Sequence, residues 1–205
     1  MPLQTRRRVL RGAGVALLAA LAGCTGSESS SQPSPTPHGP RPENLVTDYD
    51  YFELRSPSGR PVFRDADSDA SDSTLDALLV TNADERTDID VVTTPDGIDD
   101  ARRFIDETSF ESQSLAIVQH RVDACRTVKL NYLTAPPDRF VDIDFCYVLR
   151  DASVECSVDD RHVVASLIRL PFSESDRPDS GWSRGGGRSC RLPPSLRNES
   201  VEEDA

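Results

Sequence analysis

The chemistry open to this chain rests on five cysteines, three histidines and one run of alternating aspartates. With Cys24 set aside in the N-terminal segment, the thiols that remain are Cys125, Cys146, Cys156 and Cys190. None of them forms C-x-x-C, so neither a zinc ribbon nor a dithiol redox motif is expected, and the compartment decides their oxidation state. Asp65, Asp67, Asp69 and Asp76 stand at positions 1, 3, 5 and 12 of a calcium-type loop, where carboxylate oxygens suit a hard cation. Position 6 is Ala70, where such a loop needs glycine, and Asp76 is shorter than the usual glutamate. A solvated acidic loop is therefore the plainer expectation. His38, His120 and His162 have no neighbour at ligand spacing, and the only methionine is Met1, so blue copper and haem attachment find no support. Surface or strand-edge positions are expected for these histidines, and no cofactor is assigned.

Gly181-Trp182-Ser183-Arg184-Gly185 spells G-x-S-x-G. A nucleophile elbow needs a strand before the serine, a helix after it and a histidine further on. This serine lies in a glycine-rich stretch, and His162 is the last histidine. No catalytic residue is assigned on this basis. Asn198-Glu199-Ser200 is a glycosylation sequon near the C-terminus, a pattern common by chance.

The N-terminus carries an address. Thr5-Arg6-Arg7-Arg8-Val9-Leu10-Arg11 precedes a short apolar run from Gly12 to Ala20, and Leu21-Ala22-Gly23-Cys24 closes it. The run is too short to span a bilayer as a permanent helix, and its flanks are those of a processed signal. The arginine stretch resembles twin-arginine (Tat) signals, which export folded proteins. The last four residues resemble a lipobox, whose cysteine is lipidated and becomes the new N-terminus. These resemblances imply an exported protein held on the extracellular face of the cell membrane by lipid on Cys24.

The charge balance points the same way. The chain has 23 basic and 35 acidic side chains, and every basic one is arginine except Lys129. Loss of residues 1–23 removes four arginines and no acid, leaving 19 basic against 35 acidic groups, or −16. Such a surface excludes nucleic acid as a partner, because phosphate binding needs a cationic face. It repels itself at low salt and is screened at high salt. A GC-rich genome explains the arginine bias but not the acidity. Scarce lysine, abundant aspartate and the Tat lipobox together resemble the exported lipoproteins of halophilic archaea.

The elements that must position these residues follow from hydrophobic patterning. Residues 24–44 are Ser-, Pro- and Thr-rich and too poor in apolar groups to offset the entropy of ordering, so they read as a disordered tether. A β-rich domain is expected over 45–172. Tyr49, Tyr51 and Val62-Phe63 suggest early strands; Leu75 to Thr81 and Ile89 to Val92 suggest two more. Asp99 to Glu107 reads as one short helix with Ala101, Phe104 and Ile105 facing inward. Ser114 to Arg121 reads as a buried strand. Val128, Leu130 and Tyr132, then Val141, Ile143, Phe145, Tyr147 and Leu149, alternate with polar residues as half-buried strands do. Ala135 to Asp138 is the hairpin connection, and Val163 to Leu170 is a last strand. Residues 173–205 read as an irregular Gly/Ser/Arg-rich and acidic tail. The fold expected is α+β and β-rich, a small antiparallel sheet or partial barrel with one short helix. The layout from Phe104 to Leu170 is similar to haloarchaeal lipoproteins and also resembles small β domains of bacterial protease-complex subunits, a likeness of pattern that transfers no catalytic residues.

Export implies that the four thiols form two disulfides, with three possible connectivities. The hairpin permits Cys125–Cys146 with Cys156–Cys190, but a bond between paired strands tolerates little deviation in Cβ separation. Cys156 follows the strand end at Leu149 in a loop that adjusts more easily. This favours Cys125–Cys156, with Cys190 brought across to Cys146.

The function expected is that of a surface-anchored, non-enzymatic lipoprotein with a small β-rich domain that binds an envelope protein partner. The competing readings are a ligand- or ion-binding accessory protein of an envelope transporter, and an enzyme using an unseen carboxylate pair. Folding should depend on salt: circular dichroism of the mature protein should show structure gained between dilute buffer and molar salt. A melting temperature that stays flat over that range would contradict the halophilic reading.

Overall fold

The computed structural model describes residues 40–66, 77–137, 141–173, 176, 182–187 and 190–197. The signal, most of the tether and Cys24 lie outside the described residues. Nine strands and two helices are assigned: β1 (Asp50–Ser56), β2 (Phe63–Asp65), β3 (Ala77–Val80), β4 (Ile89–Val91), α1 (Ile98–Asp106), β5 (Ser114–Asp123), β6 (Arg126–Thr134), β7 (Val141–Leu149), β8 (Arg161–Leu170), β9 (Trp182–Gly187) and the single turn α2 (Pro194–Arg197).

A four-stranded antiparallel sheet in the order β1-β8-β5-β3 forms the middle layer. Its two central strands are buried along most of their length, and each of their faces is covered. On one face Leu54, Leu115, Ile117, Ala165 and Leu167 pack with Val62, Phe63 and the inner side of α1, Ile98, Ala101 and Ile105. On the other, Ala116, Val118, Val164, Ile168 and Leu170 pack with Val128, Leu133, Val141, Ile143 and Phe145 of β6 and β7. Alternate residues of one strand thus serve two cores. Each fully buried Leu or Ile contributes about 1.5–3 kcal/mol through removal from water.

The second sheet, β6-β7-β9, is mixed: β6 and β7 form a hairpin and β9 adds in parallel to β7. The fold is therefore β-rich α+β, as expected, with open sheets and no barrel closed among the described residues. β9 and α2 lie inside the stretch expected to be an irregular tail. Glycine conceals β9 from sequence patterning, since Gly185 to Gly187 present no side chains to alternate. It also permits the contact: a Cβ on Gly185 would stand 2.6 Å from Asp144 Oδ2. At the far edge the entering chain closes β6, through a bridge of Leu45 with Thr134 and donation by Val46 N to Leu133 O at 2.9 Å.

Helix α1 has no side-chain cap at its N-terminus, where Gly97 adopts φ 86°. Its C-terminus is held by Arg169 of β8, which donates to Phe104 O at 2.9 Å and Thr108 Oγ1 at 3.3 Å and lies 4.4 Å over the Phe104 ring. A cation there offsets the negative end of the helix dipole. Arg169 also pairs with Asp50 at 2.7 Å and so links α1, β1 and β8.

Gln119 of β5 is fully buried and serves as the neighbour that β2 lacks on one edge. Its Oε1 accepts from Val62 N at 2.8 Å and Phe63 N at 3.1 Å, and its Nε2 donates to Phe63 O at 2.8 Å. Gln119→Leu fills the same space but takes partners from three buried backbone groups. A loss of about 2–4 kcal/mol is expected, measured by urea denaturation at fixed molar salt. A loss below about 0.5 kcal/mol would show that β2 is held by its apolar contacts alone.

Candidate functional site

Both disulfides form with the favoured connectivity. Cys125 joins Cys156 across a sequence separation of 31, and Cys146 joins Cys190 across 44. Cys125 sits in the turn from β5 to β6 and Cys156 in the loop before β8, so their bond staples one end of the domain. Cys146 belongs to the polar face of β7 by alternation, yet it is wholly buried. The cause is Cys190, which draws residues 190–197 over that face. There Asn131, at a bulge in β6, donates to Asp144 Oδ1 at 2.9 Å and to Arg191 O at 3.4 Å. Paired, persistent disulfides fit an oxidising compartment and hence an exported domain. Among the described residues no helix is long and apolar enough to cross a membrane.

The histidines depart from expectation in one case. His120 is not at a surface or strand edge but 4% exposed between the two sheets. β5 is a central strand, so its alternate residues face the second sheet regardless of polarity. The His120 ring stands 4.4 Å from Phe145 in an edge contact, and its Nδ1 lies 3.2 Å from Tyr147 Oη. Close by in the same interlayer space, the hydroxyl of Ser166 lies 3.0 Å from Tyr51 Oη. Burial, with a smaller contribution from Glu53, pushes the Tyr51 phenol well above its ordinary range. These groups form a polar seam in the core. His38 lies outside the described residues.

The calcium-type loop is described only at Asp65, half-buried in β2; Asp67, Asp69 and Asp76 lie outside the described residues, as does Asn198. Among the described residues no three His, Cys, Asp or Glu side chains come together as a metal site. Ser183 of the G-x-S-x-G run is on β9, and its hydroxyl donates to Asp142 on the neighbouring β7. A strand does underlie this serine, but its partner is a carboxylate on the adjacent strand rather than an imidazole.

The arrangement with binding character lies at the stapled end, where β1 and β7 finish and β8 begins. Pro57, Ser58, Gly59, Arg121, Asp159, Asp160, Arg161 and His162 line an open depression of about 710 Å³. Gly59 is needed there: its φ is 69°, and a Cβ would stand 2.7 Å from the Arg161 carbonyl oxygen. His162 is half-buried, with its Nδ1 3.2 Å from Arg55 Nη1. Arg55 also donates to Arg126 O at 2.6 Å, and Arg150 donates to Ala124 O at 3.0 Å. Burial first, then the charges of Arg55 and Arg150, hold the His162 imidazole below its ordinary value. Burial and the Arg150 charge likewise lower Arg55, outweighing the opposing charges of Glu53 and Asp123. Sequence reasoning missed this cluster, whose members are scattered from position 55 to position 162; the only signal was arginine in an otherwise acidic chain.

No protein-family model, curated protein or solved structure matches this chain.

Each disulfide closes a long loop and is expected to stabilise by about 3–4 kcal/mol, chiefly by restricting the unfolded chain. A digest of unreduced mature protein should yield peptides joining Cys125 to Cys156 and Cys146 to Cys190 in mass spectra. A free thiol among the four, or a peptide joining Cys125 to Cys146, would refute this connectivity.

Proposed function

We propose that the chain is an exported, lipid-anchored binding domain that presents its disulfide-stapled end to a partner in the cell envelope, as expected of a haloarchaeal Tat lipoprotein. The observation that carries the reading is the open, charged depression at one end of a doubly stapled sandwich. A rigid scaffold holds such a surface in place without moving parts, as recognition requires. The serine of the G-x-S-x-G run is bonded to a neighbouring aspartate and His120 is buried in the core, so binding accounts for the described polar groups better than catalysis does. The lipobox at Leu21 to Cys24 supports the anchor, and the Ser/Pro-rich stretch after it supports a spacer between membrane and domain.

One acyl chain binds a bilayer only marginally, so stable anchoring calls for a two-chain lipid on Cys24. In cell fractionation the wild-type protein should partition with membranes, and Cys24→Ser should appear in the medium or as uncleaved precursor. Signal-cleaved Cys24→Ser that stayed on the membrane would exclude lipidation as the anchor. A pull-down from membranes in high salt should recover an envelope protein; recovery of none would count against the binding reading.

A further inference from the structure

We propose that Arg55, Arg150 and His162 form a receiving site for a tetrahedral oxyanion, a phosphate or sulfate group carried by the ligand of this domain. The inference deepens the binding reading and rests on it.

The three side chains come from separate segments that the fold brings to one end. Arg55 is opposite Val164 in the β1–β8 ladder, and His162 is two residues before Val164, so the two are diagonal neighbours on one face of the sheet. Arg150 follows the last residue of β7, and its backbone N donates to Cys125 O at 2.8 Å, beside the staple. That bond, with the donation of the Arg150 side chain to Ala124 O, fixes the guanidinium near the other two groups.

Several other arginines take carboxylate partners: Arg64 with Asp90, Arg86 with Asp106, Arg126 with Asp123 and Arg169 with Asp50. Among the described residues Arg55 and Arg150 form no ion pair, although acids outnumber bases in the chain. Of the acids nearby, Asp159 and Asp160 line the adjoining depression, and three others are engaged. Asp123 holds Arg126 and accepts from Cys125 N, Glu53 accepts from Tyr51 and Thr127, and Asp151 accepts from Ser153 N. Asp160 precedes β8, and its favourable effect on His162 is smaller than the opposing effects of burial and the two arginines. Two neighbouring half-buried cations beside an imidazole are a costly arrangement, and an anion placed among them relieves it.

The chemistry of the donors selects the ligand. A guanidinium presents a planar fork that matches two oxygens of one anion, and imidazolium adds a third direction. Donors brought to one end from three segments suit a group with at least three acceptor oxygens. The adjoining depression has room for whatever carries that group. Binding must couple to protonation. The charged groups around His162 are Arg55 on β1, Arg121 and Asp123 on β5, Arg126 on β6, Arg150 after β7, and Asp159, Asp160 and Arg161 at the start of β8. A bound oxyanion favours the imidazolium and raises the His162 pKa, so affinity is highest at low pH and falls as pH rises through the raised value.

The test is an NMR titration of the His162 ring in the lipidated mature protein in detergent micelles. Inorganic phosphate is compared with sodium chloride at equal ionic strength. Phosphate should raise the His162 pKa by about one pH unit relative to chloride. Arg55→Gln and Arg150→Gln should each weaken phosphate binding by about tenfold or more. If Arg55→Gln disturbs folding, as judged by circular dichroism, Arg150→Gln and the wild-type titration carry the test. Tighter binding of glycerol phosphate than of inorganic phosphate would assign the oxyanion to an esterified headgroup, and the reverse to the free ion. Identical His162 titrations in phosphate and chloride would overturn the proposal, as would wild-type phosphate affinity in Arg150→Gln. Partner capture that persists in that event leaves the binding-domain reading standing.

Discussion

The β5–β8 ladder is the constraint to which the rest of the domain answers. Both strands are ten residues long and pair over their full length, and both are buried on both faces. Antiparallel sheets commonly leave one face to water, and their strands then alternate. Here neither face is free, so α1 with β2 and β4 must cover one side and β6 with β7 the other. Shifting β5 by a residue would exchange its contributions to the two cores and leave Gln119 and His120 facing the wrong layers, and shifting β8 would do the same to Ser166. Those polar residues thereby help define a register that apolar side chains alone would specify less sharply. Gln119 faces β2 and matches its open edge. His120 and Ser166 face the second sheet, where Tyr147 and Tyr51 meet them.

Charge is distributed according to the same plan. The long acidic surface is served by solvent-exposed arginine pairs such as Arg102–Asp99 and Arg103–Asp100 on α1, which individually stabilise little. Arg169 is different. Its side chain is 13% exposed, and it ties a helix terminus to two strands. At the opposite end of β8, Arg55 and Arg150 lie beside His162, and the charges of Glu53, Asp123 and Asp160 act on them less strongly than burial and the neighbouring arginines do. One strand thus begins beside two arginines and an imidazole and ends at an arginine that closes a structural joint.

Much of this fold was legible wherever a side chain reports its own environment. Alternation placed β6 and β7 within a residue or two, and the short helix was readable from Ala101, Phe104 and Ile105. The disulfide pairing followed from the greater freedom of a loop cysteine against a cross-strand one. What was hidden depended on relations between distant segments. His120 looked like a surface histidine because periodicity says that a residue faces one side of a sheet, not that another sheet waits there. β9 carries glycines and so has no pattern, and Gly185 leaves room there for the side chain of Asp144. The polar face of β7 suggested water around Cys146, but a segment joined through Cys190 covers it. The cationic end could not be assembled from spacing, because Arg55 and His162 are neighbours only through strand register.

The strand order also governs when this chain can acquire structure. Among the described residues β1 pairs with β8 alone, so Asp50 waits for Arg169, and β1 has no strand partner there until β8 has been made. The β6–β7 hairpin closes locally and can form within microseconds of its synthesis. The middle layer is governed by long-range closure and forms late and slowly. During synthesis β1 and β5 remain as apolar strands without their shared neighbour, and such segments call for protection from premature association. A ribosome-bound chain of this topology cannot close its middle layer before β8 has been made.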